Sequence, residues 1–459
     1  MDRRLLALAL GMFALGTDSF VVAGVLPRIA HEFGIGIGAA GQMTTVYSLS
    51  YALLAPLIAT LAAGVARKRL ILIGLAIFVI ANLGTALAPS FGFALATRAL
   101  AGLGASIFSP TATGSAAAIV PPERRGMALA VVLTGMTVST AIGAPIGTLI
   151  GSFVSWHWTM VFVAALAALS GLGVLAFLAE IPLAPPISLR KRLAPLGDAR
   201  VGLTMASTVL FFSGVLAVYT YLAVVFDRAI GADSALIGGL LVLWGAAGTV
   251  SNLAVGRLID RIGTRRVLAA MLAFVFVDFL LVRWSGASLW TTIPAIVVWG
   301  ACGWGVLVPM QHRIVGVEPA LAPILMGLNN SATFLGATAA GAIGAAGIHL
   351  VGSHALGFVG AALVGAAMIV SAMADRRIAA VARAGRAGGE LPVVAASRAG
   401  QARVQAADAV RRRVQGWRRR SRIDCRMQCR DPSRGRPRRV RSNRPATARG
   451  ASRASSPAV

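Results

Sequence analysis

The chain has 459 residues, of which 57% are hydrophobic and 13% are charged, and its mean hydropathy is +0.78. This charged fraction is too small to cover a soluble globule of that size, which argues against a soluble enzyme. The net charge of +27 lies largely at the C-terminus, where residues 375–459 hold 23 Lys and Arg against 5 Asp and Glu. Neither of the two lysines, Lys68 and Lys191, stands in a phosphate-binding loop, which excludes an ATP-driven pump on one chain.

Apolar windows of about 20 residues, long enough to cross roughly 30 Å of hydrocarbon, recur along the chain. Each is predicted to be helical, because lipid cannot satisfy open backbone groups. The sequence therefore predicts an all-α membrane protein with twelve transmembrane helices. These predicted spans lie near residues 5–27, 40–63, 70–88, 92–119, 127–152, 158–179, 202–225, 235–257, 266–283, 288–310, 323–348 and 354–374.

Loop charge predicts the orientation of the spans. With the N-terminus inside, sixteen Lys and Arg fall in inner loops and three in outer loops, which is a strong positive-inside bias. We expect a multi-pass protein of the bacterial cytoplasmic (inner) membrane with both termini in the cytoplasm.

The proline-rich, basic stretch 181–200 divides the spans six and six. We expect an N-terminal six-helix bundle (1–180), a cytoplasmic linker (181–200), a C-terminal six-helix bundle (201–374) and a disordered Arg-rich tail (375–459). A weak repeat supports two related halves. Three glycines of span 5 reappear in span 11 after 201 residues: Gly126, Gly135 and Gly143 correspond to Gly327, Gly336 and Gly344.

Asp18 interrupts span 1 more than half-way across from the inner side. An ionised carboxylate there costs about 2.5–3.5 kcal/mol, so it should face a polar cavity or be protonated part of the time. A proton carrier needs such a group; a structural carboxylate paired to a neighbouring helix is the alternative.

Arg98 lies inside the outer half of span 4. An embedded arginine needs an anionic or carbonyl partner, and Gly102 and Gly104 would let a neighbouring helix approach. The alternative is an interfacial arginine that snorkels to water.

Span 5 has a small residue at every fourth position, with Pro145 among them: Gly135, Ser139, Gly143, Gly147 and Gly151. This spacing predicts a groove for a closely packed helix and a bend at the proline.

At the inner end of span 8, a Gly-x3-Asp-Arg-x-Gly-x-Arg string could form a tight turn with charge pairs that latch the cytoplasmic side. Its residues are Gly256, Asp260, Arg261, Gly263 and Arg265.

Over residues 5–374 these features resemble the major facilitator superfamily, and specifically its twelve-helix drug:proton antiporter branch. The Gly16-Thr17-Asp18-Ser19-Phe20 segment is similar to the first helix of sugar-efflux and chloramphenicol-resistance permeases. The resemblance implies two bundles around a central cavity, alternating access and export driven by proton entry, with Gly143, Pro145 and Gly147 as an antiporter motif. The first half departs from it, because Ala63 and Gly64 stand where the string of span 8 has Asp260 and Arg261.

Candidate substrate contacts are Tyr47 and Tyr51, on one face of span 2 with Thr44, and Asn329 and Asn330 in span 11. Aromatic and amide groups suit loose binding of amphipathic molecules, although each could instead bond a neighbouring helix. Asp278 in span 9 is a second candidate proton site, for which pairing with Arg283 is the favoured explanation.

The sequence thus predicts a monomeric, proton-coupled exporter of small organic molecules such as drugs or sugars, with Asp18 as the proton-binding carboxylate and Arg98 as its coupling partner. We expect no cofactor, no metal and no specific nucleic acid, and the lipid bilayer as its surroundings. An importer of sugars or metabolites and a membrane-anchored protein acting through its basic tail are the alternatives. The tail itself could contact anionic lipid, bind nucleic acid or be a dispensable or frame-shifted end from about residue 395.

Overall fold

The computed structural model describes residues 2–62, 64–121, 124–181, 188–231, 233–318 and 321–389. This part of the chain is helical without strands, and twelve helices are long and apolar enough to cross a membrane, as predicted. They are α1 (Arg3–Glu32), α2 (Ile37–Leu61), α3 (Arg67–Ala86), α4 (Phe91–Ala118), α5 (Met127–Phe153), α6 (Trp156–Phe177), α7 (Ala199–Thr220), α8 (Ala235–Ile262), α9 (Thr264–Ser285), α10 (Leu289–Val317), α11 (Ile324–Val351) and α12 (Ser353–Val381).

The helices pack in two sets of six that repeat one arrangement. In the first half α1 packs on α5 and α4 on α2; in the second, α7 packs on α11 and α10 on α8. The halves meet where α2 packs on α11 and where α8 packs on α5. These two contacts exchange when each helix is replaced by the one six places along, so the interface has the pseudo-twofold symmetry expected of a duplicated bundle.

Two glycine pairs of the predicted repeat occupy equivalent places. A side-chain carbon at Gly135 would collide with the Ala9 carbonyl on α1, and one at Gly336 would collide with the Val209 carbonyl on α7. Gly143 and Gly344 likewise lie against Thr17 of α1 and Tyr221, just beyond α7. The repeat therefore reflects the close approach of α5 to α1 and of α11 to α7.

The linker is partly helical. Within the predicted range 181–200, residues 182–187 lie outside the described part of the chain, and a short helix covers Leu189–Leu193. Asp198 caps α7 by accepting a hydrogen bond from the Arg200 amide at 2.8 Å. The Arg200 guanidinium donates to the same carboxylate at 2.6 Å and holds its pKa below the ordinary value.

The α-helix that contains most of α12 extends beyond the apolar span. This continuous helix runs over Leu356–Gly389, so the expectation that disorder begins at residue 375 is wrong for residues 375–389. Alanine and arginine dominate this stretch and favour helix. The charge of the arginines ends the apolar window from which the twelfth span is predicted. The remainder of the predicted tail, 390–459, lies outside the described residues.

Candidate functional site

A buried ion pair joins α1 to α4. Arg98 Nη1 donates to Asp18 Oδ1 at 2.7 Å, and the two side chains are 1% and 0% exposed. The prediction that Arg98 has an anionic partner is confirmed, and the alternative that it snorkels to water is wrong. The second carboxylate oxygen, Asp18 Oδ2, has no hydrogen-bond partner among the described residues.

Neighbouring helices hold the arginine in place. Asn82 of α3 accepts from Arg98 Nη1 at 3.4 Å, and the guanidinium carbon lies 4.7 Å from the centre of the Tyr47 ring of α2. Gly102 lies against the Tyr47 backbone, where a side-chain carbon would collide. The predicted close approach at this glycine is confirmed, and α2 is the helix that uses it.

A cavity of about 230 Å³ lies between the halves, beside this pair. Ser19 lines it; its Oγ donates to Leu15 O at 2.9 Å and lies 3.2 Å from Tyr47 Oη. Asp18 does not line it, so the first of the two expectations for this carboxylate, that it faces a polar cavity, is wrong, and partial protonation stays a prediction. The carboxylate is buried behind the Ser19 wall, in the pairing named as the alternative.

The cavity has an aromatic end and an amide end. The aromatic end is a cluster of rings in mutual contact, and the amide end lies seven to eight residues further along α8 and α10, about 10–12 Å away. The aromatic end consists of Phe20, Tyr219, Trp244 and Trp304. The amide end consists of Asn252, Gln311, Asn329 and Asn330.

Two of the four predicted cavity residues lie on its wall. Asn329 and Asn330 line the cavity, whereas Tyr47 and Tyr51 do not. Tyr47 faces Arg98, and Tyr51 stacks on Phe334 at 3.7 Å between ring centres and accepts from Asn330 Nδ2 at 3.0 Å. The tyrosines instead make the inter-helix contacts that were the alternative.

The face of α2 that reaches the cavity is turned by one residue from the predicted one. Thr44 and Ser48 are one helical turn apart, and both line the cavity. Sequence spacing places Thr44 on one helical face with Tyr47 and Tyr51. Adjacent residues point about 100° apart around a helix, so Tyr47 points away from the direction of Ser48. Sequence spacing alone does not say which of these faces meets the second half.

The halves are hydrogen-bonded beside the aromatic end. Tyr219 Oη of α7 donates to Phe20 O of α1 at 2.9 Å. Tyr221 Oη donates to Gly341 O at 2.9 Å and also lies 3.4 Å from Gly38 O at the start of α2. These contacts join the two halves beside the aromatic end of the cavity.

The small-residue stripe of α5 packs along α1, as predicted for a close helix pair. Side-chain carbons at Gly143, Gly147 and Gly151 would collide with Thr17, Val21 and Val25 in turn. A π-helical turn over Ser139–Gly143 precedes Pro145, which accommodates the missing proline N–H. The stripe thus brings α5 into close contact with the helix that carries Asp18.

The charged string after α8 forms the predicted tight turn. Gly263 has a φ of +88° between α8 and α9, a conformation that favours glycine. Arg265, 72% exposed, lies 3.6 Å from Asp375 of the second half. Asp260 and Arg261 are exposed and form no ion pair within the described residues, and Gly256 has open space around its Cα. Within the described residues the string thus forms a turn and one ion pair, and its role as a cytoplasmic latch stays a prediction.

Asp278 is 9% exposed, and its Oδ2 has no hydrogen-bond partner in the described part of the chain. The favoured pairing with Arg283 is wrong: five residues along a helix turn the two side chains about 140° apart, and Arg283 is exposed.

The described residues contain no group of three or more His, Cys, Asp or Glu that could hold a metal ion.

Twelve membrane-crossing helices in two related halves, with a cavity between them, define a multi-pass transporter. The chain belongs to the Major Facilitator Superfamily, whose family model matches residues 8–341. It is therefore a membrane-embedded transporter of small molecules and not an enzyme.

Relatives agree with that membership, and one solved structure has a similar fold. The chain is 32% identical over 351 residues to the chloramphenicol resistance protein of Streptomyces lividans, covering 74% of this chain and 87% of that protein. It is 30% identical over 343 residues to the inner membrane transport protein YdhP of Escherichia coli (strain K12), covering 73% and 87%. The fold is similar to that of the human organic anion transporter MFSD10 (TETRAN), with a TM-score of 0.61 at 19% identity over 80% of this chain and 99% of that one.

Proposed function

We propose that the protein is a proton-coupled exporter of small organic molecules, such as drugs or sugars, that works by alternating access. The observation that carries the proposal is the arrangement of three consecutive residues on α1. Asp18 is the buried carboxylate, Ser19 lines the cavity, and Phe20 joins the halves through Tyr219. One helix thus carries the proton site, part of the substrate site and part of the gate.

The proton step takes place at Asp18. Its Oδ2, which has no hydrogen-bond partner among the described residues, takes up a proton, and this neutralises the carboxyl group and removes the charge attraction to Arg98. Asn82 and the Tyr47 ring still hold the arginine on the α4 side. Since α1 is then bound less tightly to α4, it can move, and with it the Phe20 contact that joins the halves beside the aromatic end.

Two features favour export as the direction. The Gly143, Pro145 and Gly147 motif of α5 resembles the antiporter motif of the family, and it packs on α1 itself. A relative at 32% identity is named a chloramphenicol resistance protein, and removal of a drug from the cell is a direct route to resistance. From the positive-inside charge bias we infer that both termini lie in the cytoplasm of a bacterial inner membrane.

Everted membrane vesicles test this proposal. Labelled chloramphenicol and a panel of dyes and sugars are offered to vesicles with and without the protein, with the pH gradient intact or collapsed by nigericin. We expect accumulation that requires the gradient and is lost in Asp18→Asn but kept in Asp278→Asn, which neutralises a buried carboxylate of the second half.

Accumulation that survives nigericin or Asp18→Asn would remove proton coupling through Asp18. Accumulation confined to right-side-out vesicles would make the protein an importer.

A further inference from the structure

The aromatic end of the cavity contains hydrogen-bond donors that no described residue satisfies. The indole N–H groups of Trp244 and Trp304 are buried and have no partner among the described residues. Both rings lie on the cavity wall. An unsatisfied buried donor costs free energy, so these groups favour a bound molecule that brings acceptors.

Charge is absent from the described wall of the cavity, which is lined by apolar, aromatic, hydroxyl and amide side chains. Asp18 and Arg98 neutralise each other behind that wall. An ion in the cavity would lose its hydration without gaining a partner of opposite charge, which is costly in a medium of low polarity.

A cage for an organic cation is the competing use of such rings. Here the rings cover one another: Phe20 meets Tyr219 edge-to-face at 89° and Trp304 at 73°. Ring edges and indole N–H groups are the positive parts of these side chains. A cation gains attraction only from an open ring face, whereas an indole N–H attracts the electron-rich oxygen of a carbonyl, nitro or ether group.

We propose that the aromatic end is the substrate-selective subsite, and that it takes an uncharged aromatic group carrying a hydrogen-bond acceptor, to which Trp304 and Trp244 donate. The volume fits: an apolar cavity of about 150 Å³ holds one benzene, and this cavity has about 230 Å³. Asn252, whose Oδ1 also has no partner in the described residues, then receives a donor from the polar part of the molecule. This inference names the substrate class of the proposed exporter and rests on its cavity being the substrate site.

Binding to the purified protein tests the inference without a gradient or a direction of transport. The probes share one ring and differ in charge: 4-nitrobenzyl alcohol, 4-nitrobenzoate and 4-nitrobenzyl-trimethylammonium. Saturation-transfer NMR in detergent gives their affinities, and 4-methylbenzyl alcohol serves as the neutral probe without an acceptor on the ring. We expect the neutral nitro probe to bind at least tenfold more tightly than either ion.

Matched tryptophan variants locate the site. Trp304→Phe keeps a ring and removes the N–H, and should weaken the nitro probe about two- to tenfold while leaving the methyl probe unchanged. Trp299→Phe is the control, because the Trp299 N–H is also buried without a partner in the described residues, yet Trp299 does not line the cavity. Trp244→Phe provides a second test should Trp304→Phe fail to fold.

Tightest binding by the cation, no measurable binding of any probe, or equal effects of Trp299→Phe and Trp304→Phe would overturn the inference. The charge series on the unmodified protein tests the preference for a neutral ligand without any variant. If the neutral probe binds most tightly but accumulation in vesicles does not depend on the pH gradient, the subsite is upheld and the proposed proton coupling is removed.

Discussion

Asp18 and Arg98 are 80 residues apart in the chain, and a 2.7 Å hydrogen-bonded ion pair joins them in the interior of the first half. Each would be costly alone within the bilayer. The pair therefore stabilises the α1–α4 contact only while both charges are present, which makes that contact sensitive to a single proton.

Removing one charge of the Asp18–Arg98 pair should destabilise the protein more than removing both. Arg98→Leu leaves a buried carboxylate without its cation, and we expect a loss of about 3–5 kcal/mol. The double variant Asp18→Asn/Arg98→Gln should regain most of that stability and still lack proton coupling. Thermal unfolding in detergent measures the first effect, and vesicle transport the second. A single variant as stable as the unmodified protein would contradict the pairing.

Tyr219→Phe should favour separation of the halves at the aromatic end. It removes a hydrogen bond to Phe20 O, worth about 0.5–1.5 kcal/mol, and so shifts the ratio of conformations about two- to tenfold. Thr45 packs against Gly341 across the interface. Thr45→Cys, in a chain whose three native cysteines are replaced by serine, should react faster with a maleimide when Tyr219 is replaced.

Tyr47→Phe is the control for that labelling experiment, since Tyr47 bonds Ser19 within the first half. An equal rise in labelling for both tyrosine variants would mean that the Tyr219 bond does not hold the halves together.

Gly143→Ala should disrupt the α1–α5 contact. The added carbon collides with Thr17 Oγ1, and overpacking of this kind costs about 1–3 kcal/mol. Thr17→Ala in the same chain removes the colliding atom and should recover part of the stability. Gly239→Ala is the matched control: it is a helical glycine with no neighbour within 4 Å, and the change there should be neutral or slightly stabilising. Equal melting temperatures for the two glycine variants would refute the close packing.

A chain ending at Gly389 should transport as well as the full-length protein. All the residues of the ion pair, the cavity and the gate precede that point. Vesicle accumulation compares the two chains at matched expression. Loss of transport in a truncated chain that still inserts and folds would favour the alternative that the basic tail carries the function.

The number of spans and the existence of the pair's two charges can be read from the sequence, because hydropathy and isolated membrane charges are local signals. The position of the pair relative to the cavity cannot be read in this way: the sequence leaves open whether Asp18 faces a polar cavity, and the carboxylate lies behind the cavity wall. The rotation of α2 also escapes prediction: its spacing groups Tyr47 with Thr44, and only packing against the second half decides which face meets the cavity.

The aromatic end shows the same limit. Phe20, Tyr219, Trp244 and Trp304 come from four helices, and nothing in the spacing of apolar residues marks which of eight tryptophans will converge. An aromatic side chain in a membrane span is ordinary. The signal that distinguishes these four is their mutual contact around a cavity, which exists only in the fold.

The central claim is that Asp18 gains and loses a proton, and infrared difference spectroscopy of the reconstituted protein tests it most directly. As the pH is lowered, we expect a protonated-carboxyl band that is absent from Asp18→Asn and retained in Asp278→Asn. Difference spectra in which Asp18→Asn shows the same carboxyl bands as the unmodified protein over the whole pH range would contradict the claim.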